Sequence, residues 1–282
     1  MKTVKVGDFE VSNARPYMLI AGPCQMESLD HARMLAEKIA AAAGAANRPF
    51  VFKASYDKAN RSSLSGRRGL GMEKGLQILG DIKREFGCPV LTDVHEISHC
   101  APAAEVCDIL QIPAFLSRQT DLIAAAGRTG RAVNLKKGQW MAPDEMQGAV
   151  EKVRDAGASH VTVTERGTFF GYGNLVVDMR SFMRIQSACG VPVIFDGTHS
   201  VQRPGQASGS SGGNPEYIAP LVRAAVAAGC SGLFIEVHPN PEKAPSDGSN
   251  MLPLNDLRGL LESALAVRAV STGDHATPIP GS

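Results

Sequence analysis

The sequence predicts an α/β fold, a (β/α)8 TIM barrel with an N-terminal β-hairpin, and three observations carry that prediction. Short apolar runs alternate with longer amphipathic segments eight times over, the pattern of consecutive βα units on a parallel sheet. No linker interrupts them within the 282 residues, a length near the roughly 250 typical of such barrels. Polar and ionisable residues stand at or just beyond the ends of the apolar runs, where a barrel of this kind collects its active-site groups. An open doubly wound sheet is the competing arrangement, but no GxGxxG follows the first strand, which weakens a dinucleotide-binding reading.

In chain order, residues 2–11 alternate apolar and polar around Gly7-Asp8, as a small hairpin does, and are expected to plug or edge the main body. Strands are expected at Tyr17–Ala21, Phe50–Ala54, Val90–Asp93, Ile109–Gln111, Ala132–Leu135, His160–Thr164, Val191–Phe195 and Gly232–Glu236. Helices are expected at Leu29–Ala43, Met72–Phe86, Ser98–Val106, Gln119–Thr129, Asp144–Asp155, Asp178–Ala188, Pro215–Ala228 and Leu254–Ala269. Ser28 is placed to cap the first helix, and Pro143 sits where a first-turn proline is tolerated. Gly44, Gly87, Gly130, Gly157, Gly190 and Gly229 stand where helices should end. One domain is therefore expected over residues 1–270, with 271–282 as a polar, disordered tail. Tyr56–Gly71, Gly197–Asn214 and Val237–Pro253 are too long for ordinary connections, which makes them functional or disordered. The second is rich in Gly and Ser and could be a mobile lid or a plain surface loop.

A net charge of +1 gives no reason to expect nucleic acid or an anionic membrane as partner, so small molecules are favoured. No apolar run approaches the roughly 18 residues needed to span a bilayer, and a soluble cytoplasmic protein is expected. The six cysteines show no CxxC pair and read as buried thiols rather than a disulfide framework.

The stretch Val51–Ser63 is the most informative. An apolar run ends in Lys53, and Lys58 and Arg61 follow among Ser55, Asn60, Ser62 and Ser63; read as a buried strand opening into a polar turn, it gathers three cations suited to a phosphate. Taken alone it reads as a solvated loop, since charge clusters are usually surface features. Other strands repeat the arrangement, with Asp93, Gln111, Lys136 and Arg166 at or next to their ends. Together these describe a rim for a substrate bearing several negative charges. Cys24, His199 and Glu236 follow strands one, seven and eight, and Asp247 can join them. Barrel closure makes such residues neighbours, and thiolate, imidazole and carboxylates suit one divalent transition ion (Zn, Fe, Mn or Co) better than Ca²⁺ or Mg²⁺. A buried cysteine and a hydrogen-bonded core histidine are the alternative. His95 and His238 are expected in structural or outer-shell roles.

AGPC at 21–24, FKASYDKANRSS at 52–63, TDVHE at 92–96, QIPAFLSRQTDL at 111–122, NLKKGQ at 134–139, ERGTFFGYGNLVVDMR at 165–180, FDGTHSVQ at 195–202 and FIEVHPNPEKAPSDG at 234–248 resemble the 3-deoxy-D-manno-octulosonate 8-phosphate synthases. The resemblance runs from about Val4 to Val267. It implies condensation of phosphoenolpyruvate with arabinose 5-phosphate and water, in lipopolysaccharide precursor biosynthesis. Lys53, Ser55, Gln111, Lys136 and Arg166 would grip phosphoenolpyruvate; Lys58, Asn60, Arg61 and Ser62 would take the sugar phosphate. Phe115 and Arg118 would reach a neighbouring subunit's site, implying a homotetramer. Lys136, His199 and Asp93 are the catalytic candidates. Cys24 after the first strand and Ser246 before Asp247 mark the metal-dependent branch, with Cys24, His199, Glu236 and Asp247 as ligands.

The related 3-deoxy-arabino-heptulosonate 7-phosphate synthases share the barrel and the GPC turn but carry a KPRTS-like segment where this chain has KANRSS. An erythrose 4-phosphate enzyme of that kind and a non-catalytic sugar-phosphate-binding barrel remain as alternatives.

Overall fold

Eight short parallel strands close into a ring in the computed structural model, which describes residues 3–7, 9–12, 18–59, 68–204 and 212–272. They are β1 (Met18–Gly22), β2 (Phe50–Lys53), β3 (Val90–Asp93), β4 (Ile109–Ile112), β5 (Ala132–Lys136), β6 (Val161–Glu165), β7 (Val193–Asp196) and β8 (Gly232–His238). Each pairs with the next, and β8 closes the ring by pairing with both β7 and β1, with Gly232 opposite Met18 and Glu236 opposite Gly22. The helices α1 (Leu29–Ala45), α2 (Met72–Phe86), α3 (Ile97–Val106), α4 (Thr120–Arg128), α5 (Met146–Asp155), α6 (Ser181–Cys189), α7 (Ile218–Ala227) and α8 (Leu257–Thr272) alternate with them.

Strand periodicity divides the core in two. Leu19, Ala21 and Phe52 point outward into the layer shared with the helices, whereas Met18, Ile20, Val51, Leu91, Ile109, Ala132, Ile194 and Phe234 fill the ring itself. The hairpin pairs Val4–Val6 with Phe9–Val11, and Val4, Val6 and Val11 pack into that interior cluster. It plugs the barrel at the N-terminal ends of its strands.

Ser28 caps α1 by accepting from the backbone N–H of His31 at 3.1 Å, and Gly87 and Gly190 end α2 and α6 in the left-handed conformation. Gly44 does not end a helix. α1 runs one residue beyond it, and Asn47, with φ of 49°, makes the left-handed turn instead; asparagine tolerates that region better than most side chains. α6 starts at Ser181 rather than at Asp178, whose carboxylate accepts from the Arg180 backbone N–H and guanidinium and holds a tight turn ahead of the helix.

The connection after β6 contains an unexpected β-hairpin, Thr168–Gly171 with Asn174–Val176, turned through Tyr172 and Gly173 at positive φ. The long connection after β8 is ordered, with Leu252–Pro253 pairing alongside Val237 and His238. That after β7 holds a short ladder, Gln202–Arg203 with Gly212–Gly213. The lid reading rests on the Gly/Ser-rich stretch whose residues 205–211 lie outside the described residues. α8 continues through Thr272, so Ser271 and Thr272 are helical rather than tail; residues 273–282 lie outside the described residues.

Candidate active site

Two polar arcs meet at the C-terminal mouth of the barrel. The first is a belt of hydrogen bonds across neighbouring strands. Thr162 and Thr164 on β6 donate to Asn134 Oδ1 on β5 at 2.9 and 2.8 Å. Asn134 Nδ2 donates to Gln111 Oε1 on β4 at 2.7 Å, and Gln111 Nε2 donates to Asp93 Oδ1 on β3. Ser55 donates to Asp93 Oδ2, and Lys58 Nζ donates to Ser55 Oγ at 2.9 Å while standing 4.0 Å from Asp93 Oδ2. Burial would raise the Asp93 carboxyl, but Lys53, Lys58 and His95 outweigh it and hold the group well below the usual carboxylate range. Asp93 is therefore a fixed anion with both oxygens engaged, which suits it to positioning Ser55, Lys58 and Gln111.

The second arc crosses the closure. Lys53 Nζ donates to Glu236 Oε1 at 2.5 Å and to the carbonyls of Pro23 and Cys24 at 3.2 and 3.0 Å. Lys136 donates to Asp196 Oδ2, and its ammonium lies 3.3 Å from the centre of the Phe234 ring, a cation–π contact. Asp196 was not foreseen from the sequence, and it is the hub of this arc. Its other oxygen accepts from the backbone N–H groups of Thr198 and His199 and from the Thr198 hydroxyl, while Oδ2 also contacts His199 Nδ1 at 2.8 Å. His199 Nε2 consequently faces Glu236 Oε2, 3.5 Å away. Burial would raise both carboxyls. His199 and Lys136 drive Asp196 far down, and His199, Lys53 and Lys58 hold Glu236 at about 2.

Cys24, Glu236 and Asp247 bring one ligand atom each to within 4.8 Å of one another. The Cys24 thiol points at Asp247 Oδ2 (3.0 Å) and Ser246 Oγ (3.3 Å). Burial pushes that thiol up, and Glu236 and Asp247 add to the effect. Glu236 Oε2 is buried with no hydrogen-bond partner among the described residues. A thiol beside two carboxylates, one with a stranded oxygen and an imidazole nitrogen alongside, is a donor set that fits a divalent transition ion. His199 borders the three converging atoms rather than being one of them, with Asp196 fixing its ring as an outer-shell carboxylate does.

Arg166 follows β6 and is buried. Its Nη2 donates to Gln202 Oε1 at 2.5 Å, while Nη1 has no hydrogen-bond partner among the described residues. Gln202 in turn donates to Asp247 Oδ1 at 3.4 Å, linking this cation to the thiol–carboxylate group. Burial lowers the Lys136 and Arg166 values, and also bears on Lys58, where Cys24, Glu236, Asp93 and Asp247 prevail and raise it. Phe115, by contrast, is 53% exposed and stacks on Trp140 with ring centres 6.0 Å apart; Arg118 is exposed beside it on the same turn. Asn60, Arg61 and Ser62 lie outside the described residues.

A further cation, Lys137, is buried beside Lys136. It donates to Gly138 O, Met141 O and Thr168 Oγ1, and lies 3.6 Å from Glu165 Oε1. It braces the turn leaving β5.

The architecture defines a class: a parallel barrel with buried lysines and arginine at the mouth, beside a thiol–carboxylate cluster. The profile of the DAHP synthetase I family matches residues 4–268, and the chain belongs to that family. It is 51% identical over 271 residues to the 2-dehydro-3-deoxyphosphooctonate aldolase of Brucella anthropi, covering 96% of this chain and 98% of that protein. Proteins of the same name from Brucella ovis (53% over 264 residues, 94% and 95%) and Rickettsia bellii (51% over 260 residues, 92% and 94%) are similarly close.

Proposed function

We propose that this chain is a 3-deoxy-D-manno-octulosonate 8-phosphate synthase, condensing phosphoenolpyruvate with arabinose 5-phosphate and water and releasing phosphate, for lipopolysaccharide precursor synthesis. The observation that carries the reading is the cation set at one mouth, Lys53, Lys136 and Arg166 buried and Lys58 partly so, in a chain whose relatives bear the eight-carbon name over nearly their whole length.

Carbon three of the enol phosphate attacks the sugar aldehyde, water adds at carbon two, and phosphate then leaves by carbon–oxygen cleavage. Arg166 Nη1, buried without a partner among the described residues, and Lys136, held over Phe234 with one of its donors on Asp196, are placed to meet phosphate and carboxylate oxygens. Ser55 and Gln111, fixed by Asp93, complete that grip. Lys58, Asn60, Arg61 and Ser62 receive the sugar phosphate. Holding both substrates in attack geometry is the main contribution, and such positioning supplies up to roughly 7–11 kcal/mol in model reactions. His199, its ring aligned by Asp196, moves a proton at Nε2 or lends that nitrogen as a ligand.

Cys24, His199, Glu236 and Asp247 would hold one divalent transition ion, which supplies polarisation of the aldehyde or activation of a water when bound. The stranded Glu236 oxygen beside the Cys24 thiol supports this. The six cysteines are all free and buried, which suits a reducing cytoplasm, and among the described residues no helix is long and apolar enough to cross a membrane. The exposed Phe115–Trp140 stack supports a homotetramer with Phe115 and Arg118 serving a neighbouring site.

Phosphate release measured with arabinose 5-phosphate and with erythrose 4-phosphate tests the substrate. The five-carbon sugar is expected to turn over at least tenfold faster; the opposite order identifies the seven-carbon synthase, and binding of both substrates with no release by metal-replete protein identifies a non-catalytic barrel. Arg118→Ala is expected to raise KM for arabinose 5-phosphate with little change in that for phosphoenolpyruvate. An unchanged KM argues against a shared site.

A further inference from the structure

Two residues along β8 from Glu236, a second group of metal-capable side chains gathers that the proposed reaction does not use. Glu27 in the turn leaving β1, His31 in the first turn of α1 and His238 at the end of β8 bring one donor atom each to within 4.8 Å of one another. Alternate residues on a strand share a face, so this group lies one step further out than Glu236 along the seam where β8 meets β1.

Its hydrogen bonding is incomplete. His238 Nε2 lies 2.9 Å from Glu27 Oε1, and His238 Nδ1 lies 2.6 Å from the Asn240 carbonyl oxygen. A ring that donates from Nδ1 to that carbonyl presents a bare Nε2 lone pair to a carboxylate oxygen, two acceptors that either a proton or a metal ion must bridge. A backbone carbonyl taking the second ring N–H is also the usual outer-shell partner of a metal-bound histidine. The Asn240 N–H approaches the same Nδ1 at 3.1 Å, so without a cation the ring can reverse its tautomer and donate to Glu27 instead. His31 has no such escape. Among the described residues both its buried ring nitrogens are without a hydrogen-bond partner, with Nδ1 3.5 Å from Glu27 Oε1 and its ring centre 5.0 Å from that of His238. Burial, offset in part by Glu27, lowers the His31 value, favouring the neutral imidazole that metals bind.

We propose that Glu27, His31 and His238 form a second divalent transition-metal site, distinct from the thiol-containing one and acting as a staple across the β8–β1 seam. Two imidazoles and a carboxylate suit Zn²⁺, Co²⁺, Mn²⁺ or Fe²⁺ and leave a position for water, whereas Ca²⁺ and Mg²⁺ prefer oxygen donors. The ion ties the β1–α1 turn to the last strand of the ring.

Titration of chelator-stripped protein with Co²⁺ separates the two sites, because only the thiol-containing one gives a near-ultraviolet thiolate charge-transfer band. Wild-type protein is expected to bind two ions by equilibrium dialysis. His31→Asn and Glu27→Gln should each bind one and keep the thiolate band, and Cys24→Ser should lose the band but keep the His31-dependent ion. Thermal unfolding of the Cys24→Ser variant should still rise with added Co²⁺, and that rise should vanish when His31→Asn is added. Equal stoichiometry in wild type and both His31→Asn and Glu27→Gln, or loss of the thiolate band on replacing His31, overturns the proposal. Absence of the band in wild type with the His31-dependent ion retained would instead count against the Cys24 site alone.

Discussion

The two ends of the barrel are built from the same strands and solve opposite problems. At the N-terminal end Met18, Ile20, Val51, Leu91, Ile109, Ala132 and Ile194 meet the hairpin valines in an apolar plug. Toward the C-terminal end the strands carry Lys53, Asp93, Gln111, Lys136, Asp196 and Glu236, all buried and held in place by one another. Phe234 is the partition, packed in the apolar cluster on one side and carrying the Lys136 ammonium on the other. The difference teaches how work is divided. Burying apolar area at one end provides the stability that lets the other end keep charges out of water, where a buried pair costs desolvation and is weak evidence of stabilisation.

That division can be broken experimentally. The largest effect is expected at the mouth: Cys24→Ser should reduce kcat/KM by more than the roughly 10–100-fold that loss of an outer-shell partner costs at a metal site, with the unfolding midpoint of the metal-free protein nearly unchanged. Undiminished turnover by chelated protein would remove the metal from the mechanism. Next, Ile20→Ala at the plug should cost about 2–5 kcal/mol in denaturant unfolding while the folded fraction keeps its kcat/KM. A comparable loss of activity would show that the two ends are coupled through Phe234.

The smallest effect sharpens the comparison by pH. Glu236 is held at about 2, below its ordinary 4.5, so its contribution is full above the ordinary value and is lost as pH falls through that window. On metal-stripped protein, stability should fall more steeply between pH 4.5 and 2 for wild type than for Glu236→Gln, by at most one proton, about 1.4 kcal/mol per pH unit. Parallel slopes would mean that the mouth carboxylate contributes nothing to acid unfolding.

Much of this was legible in the sequence because it follows from periodicity. The boundaries of β3 and α2 match their expected positions, and other strands shift by one or two residues. The rim followed from strand ends being the only place where Lys53, Lys136 and Arg166 could meet. The inserted hairpin after β6 was missed because each arm has so few residues, although a Tyr172-Gly173 turn between apolar neighbours was its signal. Asp196 ends its strand just as Asp93 does and carries the same signal; His199, three residues on, is the more conspicuous residue because metals bind histidine. What periodicity cannot supply is partnership. That Asn134 would bridge two threonines to Gln111, or that Lys137 would turn toward Glu165, depends on which rotamers the closed ring allows.

The ring is sealed by its final strand, and this orders events during synthesis. Cys24 leaves the ribosome early, whereas Glu236 and Asp247 emerge only after most of the chain, and β8 must slot against β1 before the three converge. A prematurely released fragment ending before residue 232 therefore lacks both the strand that closes the ring and the two carboxylates that face Cys24.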